Sequence, residues 1–369
     1  MSKLEELIQQ YCPDGVEYYH LNDVATIKRG ERVTKAQLIP YGQYPVISGG
    51  VKPLGYLSRY NREANTITIA QYGTAGYVDW QQNQFWANDV CYSVFPSKII
   101  NNRFLYFVLL HNQQLLYSLK TNAIPACLPL DKLAGVEIPV PPLPVQEEIV
   151  RILDNFTELQ AELQAELQKR KLQYNYYLDN LLNFNRGGYQ AEVRWMKMSE
   201  VAQVCRGTRV VKSQLSNKGY PVYQNCLTPM GYYDKANCKG GTTFVICGGA
   251  AGNVGYSIVD YWAADDCEYI VSGSEVCNKY LYYYLMTKQD YLSSQVRKAS
   301  VPRLSPIVIK DLEIPIPSLD EQQRIVSILD RFDALTTDLT AGLPAEIEKR
   351  RQQYEYYRDK LLTFKRKAA

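Results

Sequence analysis

One sequence unit is written twice in this chain, and the duplication restricts the possible folds more than any other feature. Residues 138–156 read IPVPPLPVQEEIVRILDNF and residues 314–332 read IPIPSLDEQQRIVSILDRF, identical at 11 of 19 positions with an offset of 176. A second pair follows, KRKLQYNYYLDNLLNF at 169–184 and KRRQQYEYYRDKLLTF at 349–364, identical at 10 of 16 with an offset of 180. Four extra residues therefore lie between Phe332 and Lys349. Upstream, the copies share only markers: Val24-Ala25 with Val201-Ala202, Gly73 and Gly76 with Gly249 and Gly252, and Trp86-Ala87 with Trp262-Ala263. Each copy is a variable segment followed by a shared one.

The shared segment opens on a proline-rich connector, IPVPPLP, which cannot be helix interior because proline lacks an N–H and clashes with the preceding turn. Beyond it no Gly or Pro interrupts residues 145–186. Ile149, Ile152, Phe156, Leu159, Leu163 and Leu167 recur at three- and four-residue steps, the apolar stripe of an amphipathic helix. A helix of such length, about 60 Å, needs a partner, and its copy, with Ile325, Ile328 and Phe332, supplies one in an antiparallel coiled coil. Two unrelated surface helices are the other reading. Within the first helix Thr157–Gln160 is followed by AELQ twice. The second copy has LTAGLPAEIEKR instead. Gly342 and Pro344 predict a short helix over about Leu319–Leu339 and a longer one starting near Pro344.

Each variable half shows short β-type runs punctuated by Gly and Pro: Tyr44–Ser48, Thr66–Ala70 and Val90–Phe95, then Tyr220–Gln224, Thr242–Cys247 and Tyr269–Ser272. One helix follows in each, near Asn102–Leu119 and Asn278–Ser293. The pattern predicts an α+β domain with a curled sheet. Loop residues carry the candidate chemistry. Lys28, Arg29 and Arg32 follow the first strand, with Arg206, Arg209 and Lys212 at the matching place. Gln71, Tyr72 and Thr74 surround Gly73, and Asn253 lies in the matching glycine-rich loop. Lys120 and Asn122 stand opposite Arg297 and Lys298, with Arg303 close behind. Small residues let the backbone approach another surface, and polar neighbours then reach base edges or phosphates. Solvated turns are the competing reading for each loop.

Composition excludes more than it selects. The net charge of +3 is a weak pointer to nucleic acid, although positive charge gathered on one face suffices for binding. Nine cysteines without a C-x-x-C spacing and only two histidines give no zinc-ligand pattern and little acid–base capacity. No run is apolar enough to cross a bilayer, and MSKLEELIQQ lacks a signal-peptide core, which predicts a cytoplasmic location. There is no P-loop, G-x-S-x-G or H-E-x-x-H motif. GGAAGNVG at 248–255 has no βαβ context for dinucleotide binding. No Asn or Asp precedes Pro-Pro-aromatic, the signature of amino-methylating DNA methyltransferases. No cofactor is expected.

The paired I-P-[VI]-P-x-L-x-x-Q-x-x-I-V-x-I-L-D and Y-x-Y-Y-x-D-x-L-L-x-F blocks resemble those of type I restriction–modification specificity subunits, the HsdS family. The opening LEELIQQYCPDGVEY, the FWANDVCY stretch at 85–92 and the AELQ tetrads resemble the same family. The resemblance covers essentially the whole chain. It implies two target-recognition domains that each read half of a split, asymmetric site on double-stranded DNA. The conserved helices would space them and dock two methyltransferase subunits, with restriction/translocase subunits joining. Adenine-N6 methylation and ATP-driven cleavage would belong to those partners. The expected division is an N-terminal helix and first recognition domain at 1–143, a spacer helix at 144–186, a second recognition domain at 187–318 and a second helical region at 319–369. A fused enzyme or a methyltransferase acting alone, and an adaptor that binds proteins through its repeated domains, remain as other functional readings.

Overall fold

The computed structural model describes residues 3–184, 193–338 and 340–368. The chain forms two compact units, one made of Met1–Leu163 with Ile347–Ala369 and the other of Gln164–Glu346. The shared helices are divided between them. The 40-residue helix Leu143–Leu182 gives its first half to one unit and its second half to the other. The boundary expected at 186/187 lies outside the described residues.

Both units use one topology. In the first, a four-stranded antiparallel sheet runs in the order Ala25–Arg29, Cys91–Pro96, Thr66–Ala70, Val78–Gln81. A three-stranded sheet has Tyr44–Ile47 between Tyr56–Leu57 and Trp86–Ala87, the last pairing parallel. The second unit repeats this with Ala202–Arg206, Cys267–Ser272, Thr242–Ile246 and Val254–Ser257, and with Tyr220–Tyr223 between Tyr232–Tyr233 and Trp262–Ala263. All six expected β runs are strands, displaced at their ends by at most two residues. A further short pair, Tyr18–His20 with Glu137–Pro139, has its copy in Arg194–Lys197 with Glu313–Ile316.

The single helix expected in each half is broken in two. Asn102–His111 is followed by Gln113–Ser118, and Asn278–Thr287 by Gln289–Ser294. The break aims one glutamine at a glycine turn. Gln113 accepts from Val78 N–H at 3.0 Å and donates to the Gly76 carbonyl at 2.6 Å. Gln289 makes the same two bonds to Val254 and Gly252, at 3.3 and 2.7 Å.

Another glutamine ties each shared helix to its globular part. Gln146 is fully buried; it accepts from Asn101 N–H at 2.7 Å and donates to the Ile99 and Pro141 carbonyls at 3.1 and 2.6 Å. Gln322, also fully buried, accepts from Cys277 N–H at 2.8 Å and donates to the Glu275 and Pro317 carbonyls at 3.0 and 2.9 Å. This explains why the shared motif carries glutamine: one side chain supplies both a donor and an acceptor to buried backbone groups.

The helices pair within each unit. Phe156 stacks on Tyr357 with ring centroids 5.5 Å apart, and Phe332 stacks on Tyr177 at 5.1 Å. In the first unit Val145, Ile149 and Leu153, near the start of one helix, share a core with Leu362 at the end of the other, which makes the pair antiparallel. The break within the second copy is present. Helices run over Leu319–Thr337 and Leu343–Leu362, of 19 and 20 residues, so they are nearly equal where a short and a longer one were expected. The expected end at Leu339 lies outside the described residues. Gly342 is required there: a Cβ would lie 2.6 Å from the Ala334 carbonyl oxygen.

Candidate nucleic-acid interface

In each unit the loops after the first strand and after the third in sheet order leave the same end of the four-stranded sheet, and backbone bonds hold this edge of the unit together. Thr74 N–H and Oγ1 both donate to the Gly49 carbonyl, at 2.8 and 2.9 Å, and Ala250 N–H donates to the Asn225 carbonyl at 2.8 Å. Gly73 and Gly249 sit at the crossing with φ of +71° and +80°, where a side chain would strain the backbone. The next strand end is tied the same way: Leu128 N–H donates to Gln71 O, and Leu304 N–H to Cys247 O, each at 2.9 Å. Tyr72 bridges Cys127, and Gly248 bridges Arg303. The loop holding Gln71, Tyr72 and Thr74 therefore abuts the one holding Lys120 and Asn122.

In the first unit Lys28 and Arg29 end the edge strand rather than follow it, paired with Ser93 and Tyr92. Lys28 Nζ lies 5.4 Å from the Phe95 ring centroid, and the Arg29 guanidinium 5.9 Å from that of Tyr92. Arg62, not singled out in the sequence, joins them. It donates to Ser93 Oγ at 3.0 Å and to the Arg29 carbonyl at 2.7 Å, with its guanidinium 5.9 Å from Phe95. These contacts fix the cations while leaving other N–H groups for phosphate or base acceptors. Arg32, Thr74, Lys120 and Asn122 are exposed, and Tyr72 is half-buried. Gln71 is 5% exposed, and its Oε1 has no hydrogen-bond partner among the described residues.

The second unit uses different chemistry at the same place. Arg206 ends the edge strand opposite Glu268 and donates from Nε to the Asp265 carbonyl at 3.2 Å. Arg303 reaches Asp266 at 2.6 Å. These residues line a cavity of about 360 Å³ with Asp265 and Arg297. Burial raises the Glu268 carboxyl above its ordinary range, opposed by the nearby charges of Arg206 and Lys310. Arg209, Lys212 and Lys298 are exposed and Asn253 half-buried, all outside the lining of this cavity. Asn253 uses its carbonyl to accept from Ile246 N–H at 2.8 Å. Nothing in the sequence marked Asp266, because its partner Arg303 lies 37 positions away.

Other reactive groups are muted. Burial pushes the Cys91 and Cys247 thiols up to about 12, so both stay protonated at neutral pH. Among the described residues no three His, Cys, Asp or Glu are placed to hold a metal ion, and no helix is long and apolar enough to cross a membrane.

Of the residues assigned to helix pairing, Ile149 and Ile325 are fully buried against their own unit's core, and Leu167 is buried. Ile152, Phe156, Leu159, Leu163, Ile328 and Phe332 are half-buried. Leu153 and Leu329, both fully buried, were missed. They lie on the face that meets the globular core, to one side of the stripe read from the sequence.

Residues 13–170 and 191–349 each match the type I restriction modification DNA specificity domain. The chain is 30% identical to the EcoR124I/EcoR124II specificity subunit of Escherichia coli, over 99% of this chain and 97% of that one. It is 31% identical to S.HindORF215P of Haemophilus influenzae, over 98% of both. The crystal structure of the type I restriction–modification S subunit from M. genitalium superposes with a TM-score of 0.72 at 18% identity, over 94% of this chain and 96% of that one, a likeness of fold. With two copies of the specificity domain and full-length relatives of this kind, the chain belongs to the specificity subunits of type I restriction–modification systems, the HsdS family.

Proposed function

We propose that this chain is the non-catalytic reader of a bipartite, asymmetric site on double-stranded DNA. Each unit takes one half-site through the edge that carries its candidate loops. The shared helices space the two readers and dock two adenine-N6 methyltransferase subunits, with the restriction/translocase subunits joining that assembly in the cytoplasm. The observation that carries the reading is the contrast between one retained scaffold and two different edges. Lys28 and Arg29, with Arg62 beside them, face the first half-site, and Arg206, Arg303 and their carboxylate neighbours the second. Two different readers on one spacer select a longer and rarer sequence than either alone.

Methylome sequencing of a strain carrying this chain and its cognate methyltransferase tests the proposal. The expected result is a split motif with different halves, in which exchange of residues 187–318 for those of a relative changes one half only. A single uninterrupted motif, or a change in both halves, overturns it. The assembled complex should also lose DNA affinity steeply with salt, as counterion release requires. DNA-independent capture of proteins alone would favour an adaptor instead.

A further inference from the structure

We infer that Arg303, held by Asp266, reads the major-groove edge of a guanine in the half-site bound by the second unit; this rests on the function proposed above. The Arg303 guanidinium donates from one terminal nitrogen to Asp266 Oδ1 at 2.6 Å. The Arg303 side chain is 57% exposed and that of Asp266 only 16%. The carboxylate is thus the fixed member and the guanidinium the presented one. Gly248 makes this possible. A Cβ there would lie 2.6 Å from Asp266 Cγ, so the carboxylate packs directly on bare backbone. Main-chain bonds to Arg297 in both directions, at 2.8 and 3.2 Å, and the bridge to Gly248 fix the Arg303 backbone.

The surroundings select the ligand. Asp265, Asp266 and Glu268 line the same cavity with Arg206, Arg297 and Arg303, three acidic groups against three cations, and Asp266 offsets the charge of Arg303. With its charge offset by Asp266, this guanidinium gains less from a phosphate than an unpaired arginine would, while its remaining N–H groups still suit a neutral acceptor pair. The N–H groups turned away from Asp266 keep the planar fork of arginine. Among the bases only guanine offers two adjacent acceptors, O6 and N7, in the major groove; adenine and cytosine turn an amino donor toward it. The first unit has Cys127, Val90 and Tyr72 at the positions of Arg303, Asp266 and Gly248, so its half-site is read by other means.

The test uses the full chain assembled with its methyltransferase subunits. Wild-type methylome sequencing first establishes whether a split motif exists; its absence defeats the proposed function independently of Arg303. Given that motif, Arg303→Ala should lose about 5- to 150-fold discrimination at one guanine of one half-site, leaving the other half unchanged. Arg303→Lys, which keeps the charge without the fork, should recover only part of it. Asp266→Asn should weaken discrimination at the same guanine. In binding assays, 7-deazaguanine at that position should weaken the wild-type complex and leave the Arg303→Ala complex unaffected. An unchanged motif in Arg303→Ala, equal losses at every base, or a deazaguanine effect that persists in the variant would each overturn the inference. So would Asp266→Asn altering the motif where Arg303→Ala does not, which would make the carboxylate the reader of an amino group.

Discussion

Replacing Gln146 or Gln322 with leucine should destabilise the unit that contains it while leaving the other intact. The magnitude follows from the bonds lost. Gln146 satisfies Asn101 N–H and the Ile99 and Pro141 carbonyls, and only the bond to Pro141 is wholly buried. An unsatisfied buried group costs about 1–3 kcal/mol, and partly wetted ones lie at the low end. Together the three amount to about 4 kcal/mol, a large share of the roughly 5–15 kcal/mol that holds a domain folded. Gln322 serves an equivalent set, so its replacement should cost about the same. For a unit of this size the melting temperature should fall by about 10 °C. Glutamate is no rescue: it could still accept from Asn101, yet it would turn a carboxylate oxygen toward two carbonyls. Thermal unfolding gives the size of the effect, and hydrogen exchange at Asn101 or Cys277 locates it. A melting temperature within about 2 °C of wild type, with both amides still protected, would refute the reasoning.

Deleting one AELQ tetrad, Ala161–Gln164, should shorten the helix by about 6 Å and rotate its C-terminal part by about 40°. The spacer between half-sites should shrink by about one to two base pairs, with both half-site sequences unchanged in methylome sequencing; an altered half-site sequence would refute the spacing role of the helix. Acid stability should depend on Glu148. Its hydrogen bonds to Arg151, opposed by burial and aided by Lys3, lower its carboxyl to about 2. Because the folded value lies below the unfolded one, its contribution is fully present above about pH 4.5 and is lost as pH falls toward about 2. Glu148→Gln should therefore flatten that part of the acid-unfolding curve of the first unit, and a titration of unchanged shape would count against the ion pair.

The scaffold was legible in the sequence where the two copies do the same physical work. The repeated Q-x-x-I-V segment keeps its residues because each meets the same demand: glutamine for three backbone groups, and Ile149 or Ile325 for the core. The stripe through Phe156 was readable from helical periodicity, but its partner Tyr357 was not. That contact joins residues 201 positions apart, and spacing carries no trace of it. Leu153 and Leu329 were missed for a related reason. The start of each shared helix has two buried faces, one toward the other helix and one toward its own globular core, and a single-stripe reading finds only one. The breaks at Asn112 and Lys288 carry no Gly or Pro; they follow from where Gln113 and Gln289 must point. The candidate cations were legible as residue types near glycines. Which of them converge depends on the crossing of distant strands, so Arg62 and Asp266 appeared only with the fold.

The bonds common to both units engage mainly backbone. Gln146 and Gln322 hold main-chain groups at the helix junction, Gln113 and Gln289 hold a glycine turn, and Gly49 and Asn225 accept through their carbonyls at the loop crossing. A scaffold fastened this way places little demand on the side chains at its edge. Tyr92 can stand where the other unit has Glu268, Val90 where it has Asp266, and Cys127 where it has Arg303, with the strand register unchanged. Substitutions there alter the charge and hydrogen-bonding pattern offered to a ligand without breaking the bonds that hold the loops. Such a separation lets one fold carry two unlike readers in a single chain, and it predicts that edge variants change recognition before they change stability.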